Sequence, residues 1–312
     1  MDYPYANGVV KAIETRLLDK VKLAKLAKAD RSGFLKALAD VGYGRVAPGD
    51  DVETVVGREL SDFHAMLDQI TPDKKATDLF FLTEDAMNIK LLFKRKKYGA
   101  PAFDGAAADG TIAFPGIAKA ILEDDATELE PRYLPLIKAI DAQTDGVSAG
   151  RLSTIVDREL FGFAFKAAGL LANEGLKSYL KAKIDFANVM AMFRMRKLGW
   201  PVERFADVYI PGGKYKLELF QEAYGSSPVD AARLFQDGYD DKVARIVRDQ
   251  TEKRNFALTE AVFAELLLEV VEHYRDDSFQ IGPIIYYHLE KAREADAVRT
   301  LYARAEFNRP GA

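Results

Sequence analysis

Two pairs of side chains place a carboxylate three positions before an amide: Asp85 with Asn88, and Asp185 with Asn188. Residues three apart on a helix lie on one face, so each pair can bind a single neighbouring group. Such a pair is costly to bury unless it is hydrogen-bonded. We therefore expect either a structural latch, holding a helix end or a facing arginine, or a contact point for a partner protein. Catalysis is disfavoured, because an active site seldom recurs in tandem units.

Further charged residues are candidates for the same latch or for partner contact. Arg58 and Arg158 hold equivalent positions in the repeat described below and could face the carboxylates. Glu294 aligns with Asp85 near the carboxyl end of the chain. The complete set of candidates is Arg58, Glu59, Asp85, Asn88, Arg158, Glu159, Asp185, Asn188, Glu294 and Arg299.

The stretch Gly212-Gly213-Lys214 superficially resembles a phosphate-binding loop. Such a loop needs a glycine five residues before its second glycine and a Ser or Thr after the lysine. This chain has Val208 and Tyr215 at those positions, and no strand pattern precedes them. The stretch therefore predicts a turn, and no glycine-rich dinucleotide fingerprint occurs elsewhere.

Metal and nucleophile chemistry find no support in the sequence. The chain has no cysteine, which excludes thiolate metal sites, disulfides and a cysteine nucleophile. The three histidines, His64, His273 and His288, form no metal-binding spacing. We predict no catalytic residue, no metal and no cofactor.

Charge and hydropathy restrict the partners. The formal net charge is −4, so no overall field attracts nucleic acid. No apolar run reaches the roughly 18–20 residues that span a bilayer, since Phe256–Val271 is interrupted by three glutamates. The first residues lack the pattern of a signal peptide. We expect a cytoplasmic protein that reaches a membrane only through its partners.

Apolar residues recur every three or four positions along most of the chain, which predicts helices. Residues 56–101 also match residues 156–201 at a constant shift of 100, with eleven identities in 46 positions. Chance would give roughly two or three. We interpret the match as an internal duplication.

Each copy is predicted to contain two helices. The first begins at V-x-R-E-L, and the second carries D-x-x-N-[IV], a basic last turn and a Gly-x-Pro stop. Gly99 and Gly199 suit the left-handed position that ends a helix, and Pro101 and Pro201 prevent its continuation.

A weaker third copy lies near the end of the chain. Glu294–Leu301 aligns with Asp85–Leu92 at a shift of 209, with Ala297 in place of the asparagine. Three related units account for the full length, and we predict three helical domains with the boundaries 1–113, 114–212 and 213–312.

The order of these motifs resembles the C subunit of bacterial and archaeal V/A-type ATPases, whose counterpart in eukaryotic V-ATPases is the d subunit. The opening residues Tyr3–Asn7 and Thr15–Leu18 are similar to that family's start, and Pro211–Gly213 to a recurring connector. The D-x-x-N helices and Ala297–Leu301 match its repeated helix. Val9 and Lys11 stand where the family often has two arginines.

The resemblance implies an all-α protein of three homologous helical bundles arranged as a pseudo-threefold funnel. It implies a rotor protein that is not an enzyme and needs no cofactor. The partners would be the D and F subunits of the central stalk and the ring of proteolipid (c/K-type) subunits. The protein would transmit torque for Na⁺ or H⁺ transport, coupled to ATP hydrolysis or synthesis, at the cytoplasmic face. The alternative is a helical-repeat scaffold that binds an unrelated partner through a concave surface.

Overall fold

A computed structural model describes residues 2–99, 110–253 and 256–305, and within these ranges every regular element is helical. The α-helices are α1 (Tyr3–Ile13), α2 (Lys20–Leu26), α3 (Phe34–Asp40), α4 (Val52–Ile70), α5 (Lys74–Asp78), α6 (Leu82–Tyr98), α7 (Phe114–Leu122), α8 (Leu134–Asp141), α9 (Ala149–Leu170), α10 (Glu174–Leu198), α11 (Phe205–Val208), α12 (Leu217–Gly225), α13 (Pro228–Arg233), α14 (Lys242–Lys253), α15 (Phe256–Glu272) and α16 (Gly282–Ala305). Short 3₁₀ turns occupy Glu14–Arg16, Pro131–Tyr133, Val202–Arg204 and Tyr239–Asp241.

The first helix of each copy begins earlier than its repeated motif predicts. The side chain of Asp51 accepts a hydrogen bond from the Thr54 amide, and that of Ser148 accepts one from the Arg151 amide. These caps start α4 at Val52 and α9 at Ala149. The prediction that V-x-R-E-L begins the helix was therefore wrong: short polar caps set the start, and the motif lies inside the helix.

The ends of the second helices follow the prediction. Gly99 and Gly199 both adopt a φ of 64° directly after α6 and α10. The Trp200 amide donates to the Met195 carbonyl, which closes the last turn of α10. Pro201 follows, whereas Pro101 lies outside the described residues.

The chain forms two compact units, residues 1–77 with 271–312 and residues 78–270. In the first unit α16 packs on α1, α2 and α4. The core of this unit includes Phe34, Val55 and Val298, each 0% exposed. The second helix of the third copy is thus packed against the first helix of the first copy.

In the second unit α6 packs on α7 and α9, and α10 packs on α9, α11 and α12. The ring of Phe186 on α10 stacks on that of Phe263 on α15, with centroids 4.5 Å apart. The helices of one copy therefore pack against the next copy as well as their own. The three-domain boundaries stay a prediction.

Across the described ranges, no helix combines the length and hydropathy needed to cross a bilayer. Helix α15 comes from the most apolar stretch of the sequence, yet Glu260, Glu265 and Glu269 interrupt it.

Candidate functional site

Asp185 and Asn188 lie buried on α10 and bind the loop that follows α11. The carboxylate of Asp185, 0% exposed, accepts hydrogen bonds from the Lys214 amide (2.9 Å), the Tyr215 amide (3.1 Å) and the Tyr239 hydroxyl (2.5 Å). Both carboxylate oxygens are therefore taken by donors of the same chain.

The carboxamide of Asn188 pairs with one backbone residue at the other end of this loop. Its Nδ2 donates to the Ile210 carbonyl and its Oδ1 accepts from the Ile210 amide, both at 2.8 Å. The turn predicted at Gly212–Lys214 lies in this loop. A Cβ at Gly213 would lie 2.1 Å from Oδ1 of Asp185, so the close approach of the loop requires glycine.

The first copy repeats this arrangement on α6. Asp85, 0% exposed, accepts from the Thr111 amide (3.1 Å), the Thr111 hydroxyl (2.5 Å) and the Ile112 amide (3.0 Å). A Cβ at Gly110 would lie 2.3 Å from its Oδ1, and 3.5 Å from Nδ2 of the buried Asn88. Both copies therefore share one three-residue arrangement. A glycine is followed by two residues whose backbone amides bind a carboxylate.

Glu294 on α16 occupies the corresponding place in the third copy. Its Oε1 accepts from the Leu18 amide (2.6 Å), and its Oε2 from the Lys291 ammonium (2.5 Å). Lys291, 5% exposed, also donates to Oε1 of Glu59 (2.7 Å) and lies 5.3 Å from the ring of Tyr43. The longer glutamate and a buried lysine thus replace the second backbone donor and the missing asparagine.

The electrostatics of the three carboxylates are alike. Burial raises the pKa of Asp85, Asp185 and Glu294, and the hydrogen bonds they accept oppose that rise. Burial also raises the pKa of Tyr239 above its ordinary value, which keeps its hydroxyl a donor. Raised carboxylate pKa values can mark catalytic acids, but here the oxygens face donors of their own chain.

The two repeated arginines bind other groups than the latch carboxylates. Arg58 donates to Asp50 (2.9 and 3.1 Å) and to the Arg45 carbonyl (2.5 Å). The hydrogen bond from the Arg58 guanidinium, followed by one from the Ala47 amide, lowers the pKa of Asp50.

Arg158 donates to Oε1 of Gln143 at 2.6 Å, and Gln143 in turn donates to Glu159 at 3.0 Å. The hydrogen-bond donors to Asp85 and Asp185 are therefore backbone amides and hydroxyls, whereas the sequence also allowed an arginine as the donor. Arg299 lies half-exposed between Glu53 (3.1 Å) and Asp296 (3.3 Å).

The loop residues that complete each latch were not predicted from the sequence. The donors lie 26 or more positions from their carboxylate and follow no helical period. One signal was present: Gly110 and Gly213 each stand directly before the amides that bind Asp85 and Asp185. Elsewhere in the described ranges, no three His, Asp or Glu side chains are grouped as metal ligands would be.

Comparison with known proteins identifies the family of this chain. The chain matches the ATP synthase (C/AC39) subunit family over residues 6–310. It is 25% identical to the C subunit of the A-type ATP synthase of Thermococcus gammatolerans, over 96% of this chain and 85% of that protein. It is 27% identical to the same protein of Pyrococcus horikoshii (97% and 86%) and 23% identical to the C subunit of the V-type ATP synthase of Thermus thermophilus (100% and 96%). The chain therefore belongs to the ATP synthase (C/AC39) subunit family.

Proposed function

We propose that this chain is the non-catalytic coupling subunit of a V/A-type ATP synthase or ATPase. It would link the central shaft, formed by the D and F subunits, to the proteolipid ring at the cytoplasmic face of the membrane. Torque would pass through it to drive Na⁺ or H⁺ transport during ATP hydrolysis, or in the reverse direction during synthesis.

The family match over residues 6–310 carries this proposal, because it spans nearly the whole chain and the similar proteins are named as ATP synthase subunits. The internal architecture supports it. A torque coupler must resist deformation, and long helices with densely packed cores are stiff. The loops beside Asp85 and Asp185 are bound to helices by buried hydrogen bonds, which removes flexible joints where strain would dissipate.

The shape proposed for this role is a funnel of three similar bundles whose cavity receives the end of the shaft. Such a body would be compact and nearly threefold, whereas an open helical scaffold would be elongated. Small-angle X-ray scattering of the purified chain distinguishes the two. A maximum dimension typical of an extended solenoid would contradict the funnel.

The partner assignment is tested by mixing the purified chain with the purified D–F pair of the same complex. We expect co-elution from a gel-filtration column at about 10 µM, a concentration at which a specific micromolar complex is largely formed. An unrelated antiparallel coiled coil of similar charge is the control. Separate elution of the chain and the D–F pair would overturn the proposed function.

A further inference from the structure

One face of α10 lines an open groove within residues 78–270. Its members follow the spacing i, i+3, i+4, i+7 along the helix, which is the pattern of a face that packs against another helix. They are Lys183, Phe186, Ala187, Met190, Ala191, Arg194, Met195 and Leu198. The stripe runs over 16 residues from Lys183 to Leu198, about 22 Å at the rise of an α-helix. It borders a cavity of about 540 Å³.

Two other helices form the walls of this groove. Asp157 and Phe161 contribute from α9, and Phe263, Ala264 and Leu267 from α15. The lining is mostly apolar and includes the stacked rings of Phe186 and Phe263. The groove therefore presents apolar side chains from three helices along one face of α10, a surface suited to a helical partner.

Small side chains are among those that line the groove. Ala187 and Ala191 are one turn apart on α10, and Ala264 lines the groove from α15. Helix axes pack 8–10 Å apart depending on the side chains at the contact, so alanines allow the closest approach. At one end, Leu198 is 60% exposed, which leaves apolar surface available to a partner.

The charge around the groove is opposite in sign to that of the whole chain. Asp157 is bound by Lys90 (2.5 Å), and Glu260 by Arg194 (3.1 Å). Two more cations lie close by. Lys94 acts electrostatically on Asp157, and the Lys183 ammonium lies 5.1 Å from the ring of Tyr179. Glu84 also acts electrostatically on Lys183, so four basic groups lie near three acidic ones, whereas the formal net charge of the protein is −4.

We propose that this groove binds one amphipathic helix of a partner protein, with its apolar face on α10 and acidic side chains toward Lys94, Lys183 and Arg194. Binding of such a helix in an apolar groove is a recurring mode of recognition. The positive rim would select acidic flanks and speed association. The groove would serve this partner whether or not the chain joins a stalk to a ring.

The probe is a synthetic helical peptide with leucines at i, i+3, i+4 and i+7 and glutamates on the flanks. Trp200 lines the groove and is the only tryptophan of the chain, so its fluorescence reports binding directly. We expect a saturable blue shift with the full-length protein. A peptide with lysine in place of glutamate should bind at least about tenfold more weakly, because the rim is basic.

Two pairs of variants make the test specific. Ala191→Phe places a large side chain in the groove and should weaken peptide binding at least about tenfold. Val229→Phe, at an exposed position of α13, should leave peptide binding unchanged. Arg194→Glu, on an exposed side chain, should weaken binding of the acidic peptide and strengthen binding of the lysine peptide.

Absence of a Trp200 fluorescence shift at millimolar peptide would overturn the proposal that the groove binds a helix. Peptide binding by the Ala191→Phe variant as tight as that of the wild type would also overturn it. So would dimerisation of the chain that changes Trp200 emission without peptide, because a second copy would then occupy it. Co-elution with the D–F pair is measured separately, so either proposal can fail while the other stands.

Discussion

Each of Asp85 and Asp185 accepts hydrogen bonds from two successive backbone amides, and this fixes the direction of a loop more firmly than one bond could. Successive amides point the same way only in a restricted set of backbone conformations. The glycines beside them allow the backbone to come this close. At the scale of single residues, the chemistry of the repeated pair is therefore that of loop attachment, and we propose that both pairs are structural latches.

Replacing Asp185 with Asn should destabilise the protein by about 1–3 kcal/mol. The amide nitrogen would face a backbone N–H, so one buried donor would lose its acceptor. Urea denaturation monitored by Trp200 fluorescence measures the change.

The matched control for this change is Asp207→Asn. The Asp207 side chain is 35% exposed and lies 3.3 Å from Arg151 in an ion pair near the surface. Its loss should cost less than about 1 kcal/mol. An equal cost for the two substitutions would contradict the latch.

The ion pair of Asp50 with Arg58 should make stability depend on pH. Hydrogen bonding to Arg58 lowers the pKa of Asp50 below its ordinary value of 3.8. A lowered pKa contributes stability above the unfolded value, and that contribution is lost as pH falls through the folded value. Asp50→Asn should therefore lower the thermal midpoint at pH 7 and have a smaller effect at about pH 2.5, below the ordinary pKa of the carboxyl, where the unfolded chain is already protonated.

Asp62→Asn is the control for this prediction, because both side chains of its pair with Arg45 are exposed. Thermal melts of the three proteins at both pH values give the comparison. A difference between wild type and Asp50→Asn that persists at acid pH would show that lost packing, not ionisation, is responsible.

The repeated residues could be predicted, but not the groups they bind. Asp85 and Asp185 recur at a constant shift on a helical face, and both signals are local. Their donors lie 26–54 positions away in loops, where no periodicity predicts which backbone amide faces inward. Glu294 was identified by alignment alone. The lysine beside it, Lys291, gave no signal because a buried lysine resembles a surface one in sequence.

At the scale of elements, helix ends were predicted better than helix beginnings. A glycine after the basic last turn of a helix most often adopts the left-handed conformation that ends the helix, and the φ values of Gly99 and Gly199 agree with that use. Polar caps are common residues with many other uses, so Asp51 and Ser148 were not distinguished from other surface positions. Identity between the copies starts at V-x-R-E-L, which lies inside α4 and α9, so it does not mark where either helix begins.

Gly213→Ala should separate the loop from α10. The added methyl group would lie 2.1 Å from the Asp185 carboxylate, a distance that forces the loop or the helix to move. Overpacking of this kind typically costs about 1–3 kcal/mol. Chemical denaturation quantifies the loss, and faster amide exchange at Lys214 and Tyr215 would locate it.

Gly225→Ala provides the matched control near the end of α12, where a Cβ meets no atom within 4 Å. Alanine is the better helix former, so this change should be neutral or slightly stabilising. If both alanine variants behaved alike, close packing of the loop against Asp185 would not be the reason for Gly213.

At the scale of the whole molecule, the sequence indicated an all-helical protein of repeated units, and the structure is all-helical over its described residues. Helix pairing could not be predicted in the same way. Helix α16 packs on α4 even though more than 200 residues separate them, and α6 packs on α9 of the next copy. An amphipathic pattern shows that a helix buries one face but does not say against which partner.

The division into two compact units predicts two unfolding transitions that different probes can separate. Trp200 lies in the unit of residues 78–270, so its fluorescence reports on that unit, whereas far-UV circular dichroism reports on all helices. Ile285 and Ile184 are both 0% exposed, one in each unit. Replacing either with alanine should cost about 2–5 kcal/mol through the cavity it leaves.

For Ile285→Ala we expect an early loss of helical signal in urea while the Trp200 midpoint stays near that of the wild type. Ile184→Ala should lower the Trp200 midpoint instead. Local free energies of opening often differ between contiguous parts of one protein, which is the behaviour expected of two separate cores. If both variants lowered the Trp200 midpoint equally, the units would unfold as one cooperative body, a property that would favour transmission of torque through the complete chain.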